Sequence, residues 1–175
     1  MGDTLTTDTV KLLARYNLHA NTEMGLIFSR LSDGEWNQGL GGYFPSIRSL
    51  CSHLFIGDFS WLQRFATLRP FAYARHPLFA KPMGWGDLLF PTFREYKSER
   101  KLLDEQFLAF AEEVQAADLS QRLRYQNWKN VDQDRDFGGL ILHVFNHQTH
   151  HRGMVSLYLD LLGKENDFSN LIPLV

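Results

Sequence analysis

The chain has almost no cysteine: its 175 residues include one, Cys51. A single thiol excludes a disulfide within the chain, and it excludes a metal site built mainly from thiolates. It also predicts a reducing compartment, the cytoplasm. Because Cys51 lies among apolar residues at helical spacing, we expect a buried thiol that behaves as a small apolar side chain.

The sequence also lacks an excess of charge of one sign and any long hydrophobic run. The formal net charge is -2 and the pI is about 6.4, without the basic patch that nucleic-acid binding requires. No stretch approaches the roughly 20 consecutive apolar residues of a membrane-spanning helix. The N-terminus does not have the basic start and apolar run of an export signal. We therefore expect neither a nucleic-acid partner nor a membrane partner.

Apolar and aromatic residues, in contrast, are abundant. Hydrophobic residues make up 44% of the chain and aromatic residues 14%, which is enough to build a substantial core. We expect a single globular domain over residues 1–175. The aromatic content predicts a bulky core, an aromatic-lined pocket, or both.

Four segments show helical periodicity and are predicted to be helices. Their predicted bounds are Thr6 or Thr7 to about Leu31, Pro45 to Arg69, Phe93 to about Ala117, and a last helix that Asp136 caps and that stops at Gly163. On the third helix the charged residues are expected to face outward. Four prolines between positions 69 and 93 predict a long crossover, and residues 123–131 favour a short hairpin or an extended loop. The sequence thus predicts an all-α four-helix bundle with one crossover.

The last predicted helix carries four of the seven histidines. At about 100° per residue, His147 and His151 fall at the centre of its apolar face, and His143 and His150 lie on one flank. Imidazoles at i and i+4 can bind one ion, as they do in HExxH zinc sites. Without a metal or another partner, each buried ring would cost about 1–3 kcal/mol. The alternative is a pair of core histidines satisfied by hydrogen bonds.

A third ligand is expected from another segment, because His143 is separated from His151 by about 12 Å of helical rise. His53, at the border of the apolar stripe on the second helix, is the best candidate, and His76 in the crossover is the fallback. His19 points away from the inward side of the first helix and is expected on the surface. His143 and His150 are left outside the ligand set, with hydrogen-bonding, structural or interfacial roles open.

Residues 147–153, HQTHHRG, preceded by HVFN at 143–146, resemble the C-terminal histidine motif of the DinB (damage-inducible) family. Residues 52–54, SHL, followed by Asp58 and Trp61, are similar to the first-histidine segment of that family. The Tyr16-Asn17 pair and the expected hairpin also fit, so that the resemblance covers nearly the whole chain. Met154 is a departure, since many members have glutamine after the Arg-Gly.

The resemblance implies a DinB/YfiT-like four-helix bundle, often dimeric, with one divalent ion, commonly zinc or nickel, bound by three histidines. Position by position, these are His53, His147 and His151. Three neutral ligands leave the open position that is typical of catalytic zinc. The wider superfamily includes thiol-dependent S-transferases and isomerases, so activation of a low-molecular-weight thiol is our leading hypothesis. The alternatives are metal-assisted hydrolysis and a non-catalytic protein that binds a metal or a small ligand.

Other residues are assigned to the surroundings of this site. Asp58 falls near the centre of an apolar stripe and needs a partner: it orients an imidazole, pairs with Arg152, or reaches solvent at a bundle end. Arg152 is either a ligand for an anionic group or a salt-bridge partner. Asn17 lies on the inward stripe of the first helix. The aromatic residues Trp85, Phe90 and Tyr16 line either a pocket mouth, together with Asn17, or the core.

Overall fold

The structure, a computed structural model, describes residues 5–175 of the protein. In chain order the elements are α1 (Thr7–Phe28), α2 (Asp33–Asn37), α3 (Ile47–Phe65), α4 (Phe93–Glu113), α5 (Ala116–Leu119), β1 (Arg122–Gln126), β2 (Asp132–Asp136) and α6 (Phe137–Leu161). The fold is therefore predominantly helical, as predicted, with one small two-stranded sheet. None of the helices in the described part of the chain combines the length and the hydropathy that a bilayer-spanning segment requires.

Capping side chains decide several helix ends that the sequence analysis placed wrongly. Helix α1 ends at Phe28 rather than near Leu31, and Ser32 is the N-cap of the short helix α2, which was not predicted. The Ser32 hydroxyl accepts the N–H of Glu35, and the Glu35 carboxylate accepts the N–H of Ser32. This reciprocal pair satisfies two N–H groups that a helix start leaves free. Likewise α3 begins after the N-cap Ser46 and not at Pro45.

The predicted second and third helices are both shorter than expected, because the chain around their ends is held by side-chain contacts. Helix α3 ends at Phe65 rather than Arg69, and α4 ends at Glu113 rather than Ala117. The Arg69 guanidinium donates to Asp118 and to the Glu113 carbonyl, and the Glu113 carboxylate accepts backbone N–H groups at the start of the crossover. These contacts tie the crossover to the end of α4.

The predicted crossover and hairpin are both present. Residues 66–92 contain only two short 3-10 turns, Tyr73–Arg75 and Pro77–Ala80, as the prolines require. Strands β1 and β2 pair antiparallel, from Arg122 opposite Asp136 to Gln126 opposite Asp132. In the turn between them the Asn127 side chain accepts the N–H groups of Lys129 and Val131, and Trp128 lies at the tip of this hairpin.

The four long helices pack against one another, α1 on α4 and α6, and α3 on α4 and α6. Their contacts form two apolar clusters, one that includes Phe65, Phe110 and Phe137, and another that includes Met24 and Trp36. Helix α6 has the predicted ends: Asp136 accepts the N–H of Gly139, and Gly163 beyond the C-terminus has a φ of 67°, which glycine adopts without strain. The candidate site lies where α3 faces α6.

Candidate metal centre

The structure brings His53 of α3 together with His147 and His151 of α6. Each offers one ring nitrogen, and these three atoms lie within 4.8 Å of one another. The two Nε2 atoms of His53 and His147 are 3.0 Å apart. Within residues 5–175, this is the group of three or more histidine, cysteine or acidic side chains that is close enough to share an ion. The fallback candidate His76 does not belong to it.

The backbone positions these rings through helical spacing and one glycine. His147 and His151 lie one turn apart, with ring centres separated by 4.4 Å, and the His53 ring centre is 4.7 Å from that of His151. One turn after His53, Gly57 faces the His147 imidazole, and a Cβ at position 57 would lie 3.3 Å from His147 Cε1. Sequence reasoning missed Gly57, although a glycine inside an apolar helical pattern signals close packing.

All three imidazoles are held neutral. Burial, together with the neighbouring His151 and His53, lowers the pKa of His147 to about 3. Burial, followed by the effect of His53, lowers the pKa of His151 to about 4, and burial also lowers the pKa of His53. Neutral imidazole is the form that binds metals, because protonation occupies the lone pair.

The surroundings of the rings fit a divalent cation. A hydrogen bond between His53 and His147 would satisfy one pair of nitrogens. His151 Nδ1 instead contacts the Met154 sulfur at 3.3 Å, and sulfur is a weak hydrogen-bond partner. Three ring nitrogens thus converge, but the hydrogen bond between His53 and His147 satisfies only two of them. Imidazole nitrogens in this arrangement are a common ligand set for zinc and similar ions.

Comparison with known proteins agrees with this arrangement. The DinB family model matches residues 1–170. The chain belongs to the DinB family. It is also similar to Protein DinB of Bacillus subtilis (strain 168), with 26% identity over 161 residues that cover 86% of this chain and 84% of that protein. The resemblance noted from the histidine motif is confirmed, and the family match includes all three histidines of the candidate centre.

In this DinB family protein, two buried polar residues of α6 follow the candidate ligands in sequence. Gln148 comes directly after His147 and donates to the Asp58 carboxylate. Arg152 comes directly after His151 and donates to Asn17 Oδ1 at 2.6 Å. Both side chains are buried, so that they fasten α6 to α3 and α1 directly behind the imidazoles.

These contacts belong to a buried ionic network that joins the four long helices. Arg100 of α4 donates to Asp58 at 2.6 Å and to Asp104 at 2.6 Å, and Asp104 accepts hydrogen bonds from Asn17 and Asn21 of α1. Burial lowers the pKa of Arg100, but the carboxylates of Asp104 and Asp58 outweigh this effect, so that the net shift is upward. Arg100 therefore remains charged, as a cation paired with two buried carboxylates must.

The network corrects several predictions from the sequence. Asp58 is fully buried and pairs with Arg100; it does not pair with Arg152 or an imidazole, and it does not reach solvent. Arg152 is also buried, and its guanidinium donates to the neutral side chains of Asn17 and Thr149 rather than to a carboxylate. The expectation that charged residues of α4 face outward is wrong for Arg100 and Asp104. Their i, i+4 spacing places both close to the apolar stripe of α4, a signal that the sequence contained.

The remaining histidines lie outside the group. His143 is exposed, with its ring centre 5.4 Å from that of Trp61. His150 is exposed beside His151, at a ring-centre distance of 4.8 Å. His76 is partly exposed and accepts the N–H of Leu78, and His19 on α1 is also partly exposed.

Of the aromatic residues and the cysteine considered in the sequence analysis, some lie in the core and one lines a cleft. Trp85 lies edge-on to His53, with ring centres 5.5 Å apart, and lines a cleft that opens beside it. Phe90 instead packs against Phe55 in the core, and the Tyr16 hydroxyl donates to the Ser169 carbonyl. Cys51 is buried as predicted, and burial raises the pKa of its thiol, which makes it a poor nucleophile.

Proposed function

We propose that this protein binds one divalent metal ion, zinc or nickel, through His53, His147 and His151, inside a four-helix bundle formed by α1, α3, α4 and α6. The observation that carries the proposal is the convergence of three neutral ring nitrogens within 4.8 Å of one another. Zinc–nitrogen bonds of about 2.0–2.1 Å in a tetrahedral arrangement place ligand nitrogens about 3.3 Å apart. Small adjustments of the side chains would bring the rings to that spacing.

We further propose that the protein is a metal-dependent transferase that uses a low-molecular-weight thiol and a small-molecule electrophile. A divalent ion held by three neutral imidazoles supplies a Lewis acid that can lower the pKa of a thiol. The candidate ligands are imidazoles only, so that they do not cancel the charge of the ion. A free thiol ionises near pH 8.5, and a modest decrease in its pKa yields the thiolate without a protein base.

The residues around the centre support this assignment by shielding one side and leaving another accessible. The Phe44 ring packs against His53 and His151, with ring centres 4.6 and 5.4 Å away, and excludes water from that side. The cleft lined by His53 and Trp85 gives a small molecule access to the other side. Gln148 and Arg152, which are anchored to Asp58 and Asn17, hold the helix that carries two of the candidate ligands.

A direct test compares the metal-loaded protein with the His147→Ala variant. Both would be assayed with cysteine and 1-chloro-2,4-dinitrobenzene, where a carbon–sulfur bond forms, chloride leaves, and the thiol proton passes to the buffer. We expect a rate above the uncatalysed reaction for the metal-loaded protein and the uncatalysed rate for His147→Ala. Equal rates in both proteins would contradict the transferase proposal. Ester hydrolysis that needs metal but no thiol would replace it with a hydrolase.

We also propose that the protein acts as a homodimer in the cytoplasm. Leu157 and Leu161 lie one turn apart on α6 and are 56% and 59% exposed. Exposure of two neighbouring leucine side chains to water is unfavourable, which indicates that another protein surface covers them. One turn earlier, Gly153 has open space at its Cβ position, which would allow a second helix to approach. Sedimentation of the Leu157→Asp variant tests this proposal: we expect a monomer, whereas an unchanged mass would contradict the interface.

A further inference from the structure

A cleft of about 530 Å³ opens beside the His53 imidazole. Its walls come from four parts of the chain: Tyr43 and Phe44 before α3, α3 itself with His53, Trp85 to Leu88 in the crossover, and Trp128 at the tip of the hairpin. This volume lies within the range of about 300–1,000 Å³ that is usual for small-molecule sites. The cleft is therefore large enough for a ligand with one or two fused rings.

Three large rings in this cleft are exposed to solvent. Tyr43 is 90% exposed, Trp85 50% and Trp128 61%. Each belongs to a different segment, so that no local pattern in the sequence brings them together. Aromatic side chains gain most when their faces are covered, and a set of rings left uncovered around one cleft favours a flat apolar ligand.

The polar groups of the cleft leave little for a charged ligand. The Asp87 carboxylate accepts the N–H of Gly84 at 2.6 Å, and the Ser49 hydroxyl donates to the Ser46 carbonyl at 2.7 Å. The residues that line the cleft include neither lysine nor arginine, so that in the metal-free protein a carboxylate would find no counter-charge in its walls. The Lys129 ammonium lies 4.8 Å from the centre of the Trp128 ring, and a cationic ligand there would meet a like charge.

We propose that this cleft binds a small, uncharged, planar aromatic molecule against Trp85 and Trp128, with one edge directed toward His53. The short distance between the Trp85 and His53 rings, 5.5 Å, places such a ligand next to the candidate metal centre. The identification of this ligand as the electrophilic substrate rests on the proposed transferase function. The binding of the ligand to the cleft does not depend on that function. Trp85 and Trp128 thus determine which electrophiles reach the centre.

The test uses three probes that share one ring system and differ in charge: 2-naphthalenemethanol, 2-naphthoate and (2-naphthylmethyl)trimethylammonium. Calorimetric titration of the metal-free and metal-loaded protein would measure the Kd of each. We expect the neutral probe to bind most tightly to the metal-free protein. Trp85→Ala and Trp128→Ala should each raise its Kd about three- to tenfold, and Leu26→Ala, at an exposed position of α1 away from the cleft, should leave it unchanged.

Several results would overturn the inference. They are tighter binding of either charged probe to the metal-free protein, or a Kd of the neutral probe that neither tryptophan variant changes while circular dichroism shows both variants folded. Loss of dimerisation in Trp85→Ala, with no probe binding in the wild type, would show instead that a second copy of the chain covers the cleft.

The outcome is distinguishable from failure of the proposed function. If thiol transfer is absent but the neutral probe binds and depends on Trp85 and Trp128, the transferase proposal fails and the cleft inference stands. If thiol transfer requires His147 but neither tryptophan variant changes the Kd of the neutral probe, the cleft inference fails and the proposed function stands.

Discussion

Gly57 of α3 lies opposite His147 of α6, where an added Cβ would be 3.3 Å from His147 Cε1. We expect Gly57→Ala to displace the imidazole by a few tenths of an ångström and to lower metal affinity about tenfold. Alanine is also the better helix former by about 1 kcal/mol, so that the free energy of unfolding of the metal-free protein should fall little or rise. Competition with a chromophoric chelator and urea unfolding measure the two quantities.

The control for this substitution is Gly25→Ala on α1, where the nearest atom, Phe93 Cζ, is 3.9 Å from the added Cβ. This variant gains helix propensity without touching a histidine, and its metal affinity should equal that of the wild type. If both alanine variants bind metal as the wild type does, Gly57 does not position His147.

Alanine variants of single histidines should distinguish the metal ligands from the neighbouring histidines. We expect His53→Ala, His147→Ala and His151→Ala each to weaken metal binding by more than the roughly 10- to 100-fold that loss of an outer partner costs. His150→Ala, whose ring lies beside His151 but outside the group, should retain the metal. Elemental analysis of the purified variants measures the content, and equal losses in His150→Ala and His151→Ala would show that the ligand set is wrong.

Removal of the metal should lower thermal stability, because an ion that binds only the folded chain stabilises it by mass action. A free metal concentration of 100 times its Kd contributes about 2.7 kcal/mol, which corresponds to a decrease in Tm of about 5–10 °C when a chelator is added. The His147→Ala variant should show the same Tm with and without the chelator. A wild-type Tm that does not respond to metal or chelator would argue against an ion between α3 and α6.

The ionic network predicts a large effect for one buried cation. Arg100→Met leaves Asp58 and Asp104 without their shared partner and should cost about 3–5 kcal/mol of the free energy of unfolding. Arg100→Lys should rescue this only in part, since an ammonium does not bridge two carboxylates as a guanidinium does. The control is Lys101→Met, whose side chain is 76% exposed and whose loss should cost less than about 1 kcal/mol. Urea unfolding that shows equal losses at the two positions would contradict the role of the network.

The sequence was sufficient for features that depend on local periodicity. Helical spacing predicted that His147 and His151 share an inward face, and the apolar stripe of the second predicted helix selected His53. The structure brings these three together. The Asp136 cap, the hairpin and the glycine after α6 were predictable for the same reason, since each depends on neighbouring residues.

Features that depend on distant segments were not predictable in this way. Besides Asp104 of its own helix, the buried Arg100 needs Asp58, which is 42 residues away in sequence and faces it from another helix. Without that second partner in view, a charged residue is assigned to the surface by default. The cleft has the same origin, since Trp85 and Trp128 meet beside His53 only after the crossover and the hairpin fold over α3. The missed helix ends reflect side-chain contacts such as that of Arg69 with Asp118.

Arg100 and Asp104 also fix the height of the helices relative to one another. A slide of α4 by one turn, about 5.4 Å, would pull Arg100 away from Asp58 and Asp104 away from Asn21. Such a slide would leave buried charges without partners, which is strongly unfavourable. Gln148 of α6 also donates to Asp58 of α3, so that His53 and His147 face each other without an ion. Any cation would therefore bind a site that is already assembled, unlike the site of a zinc finger.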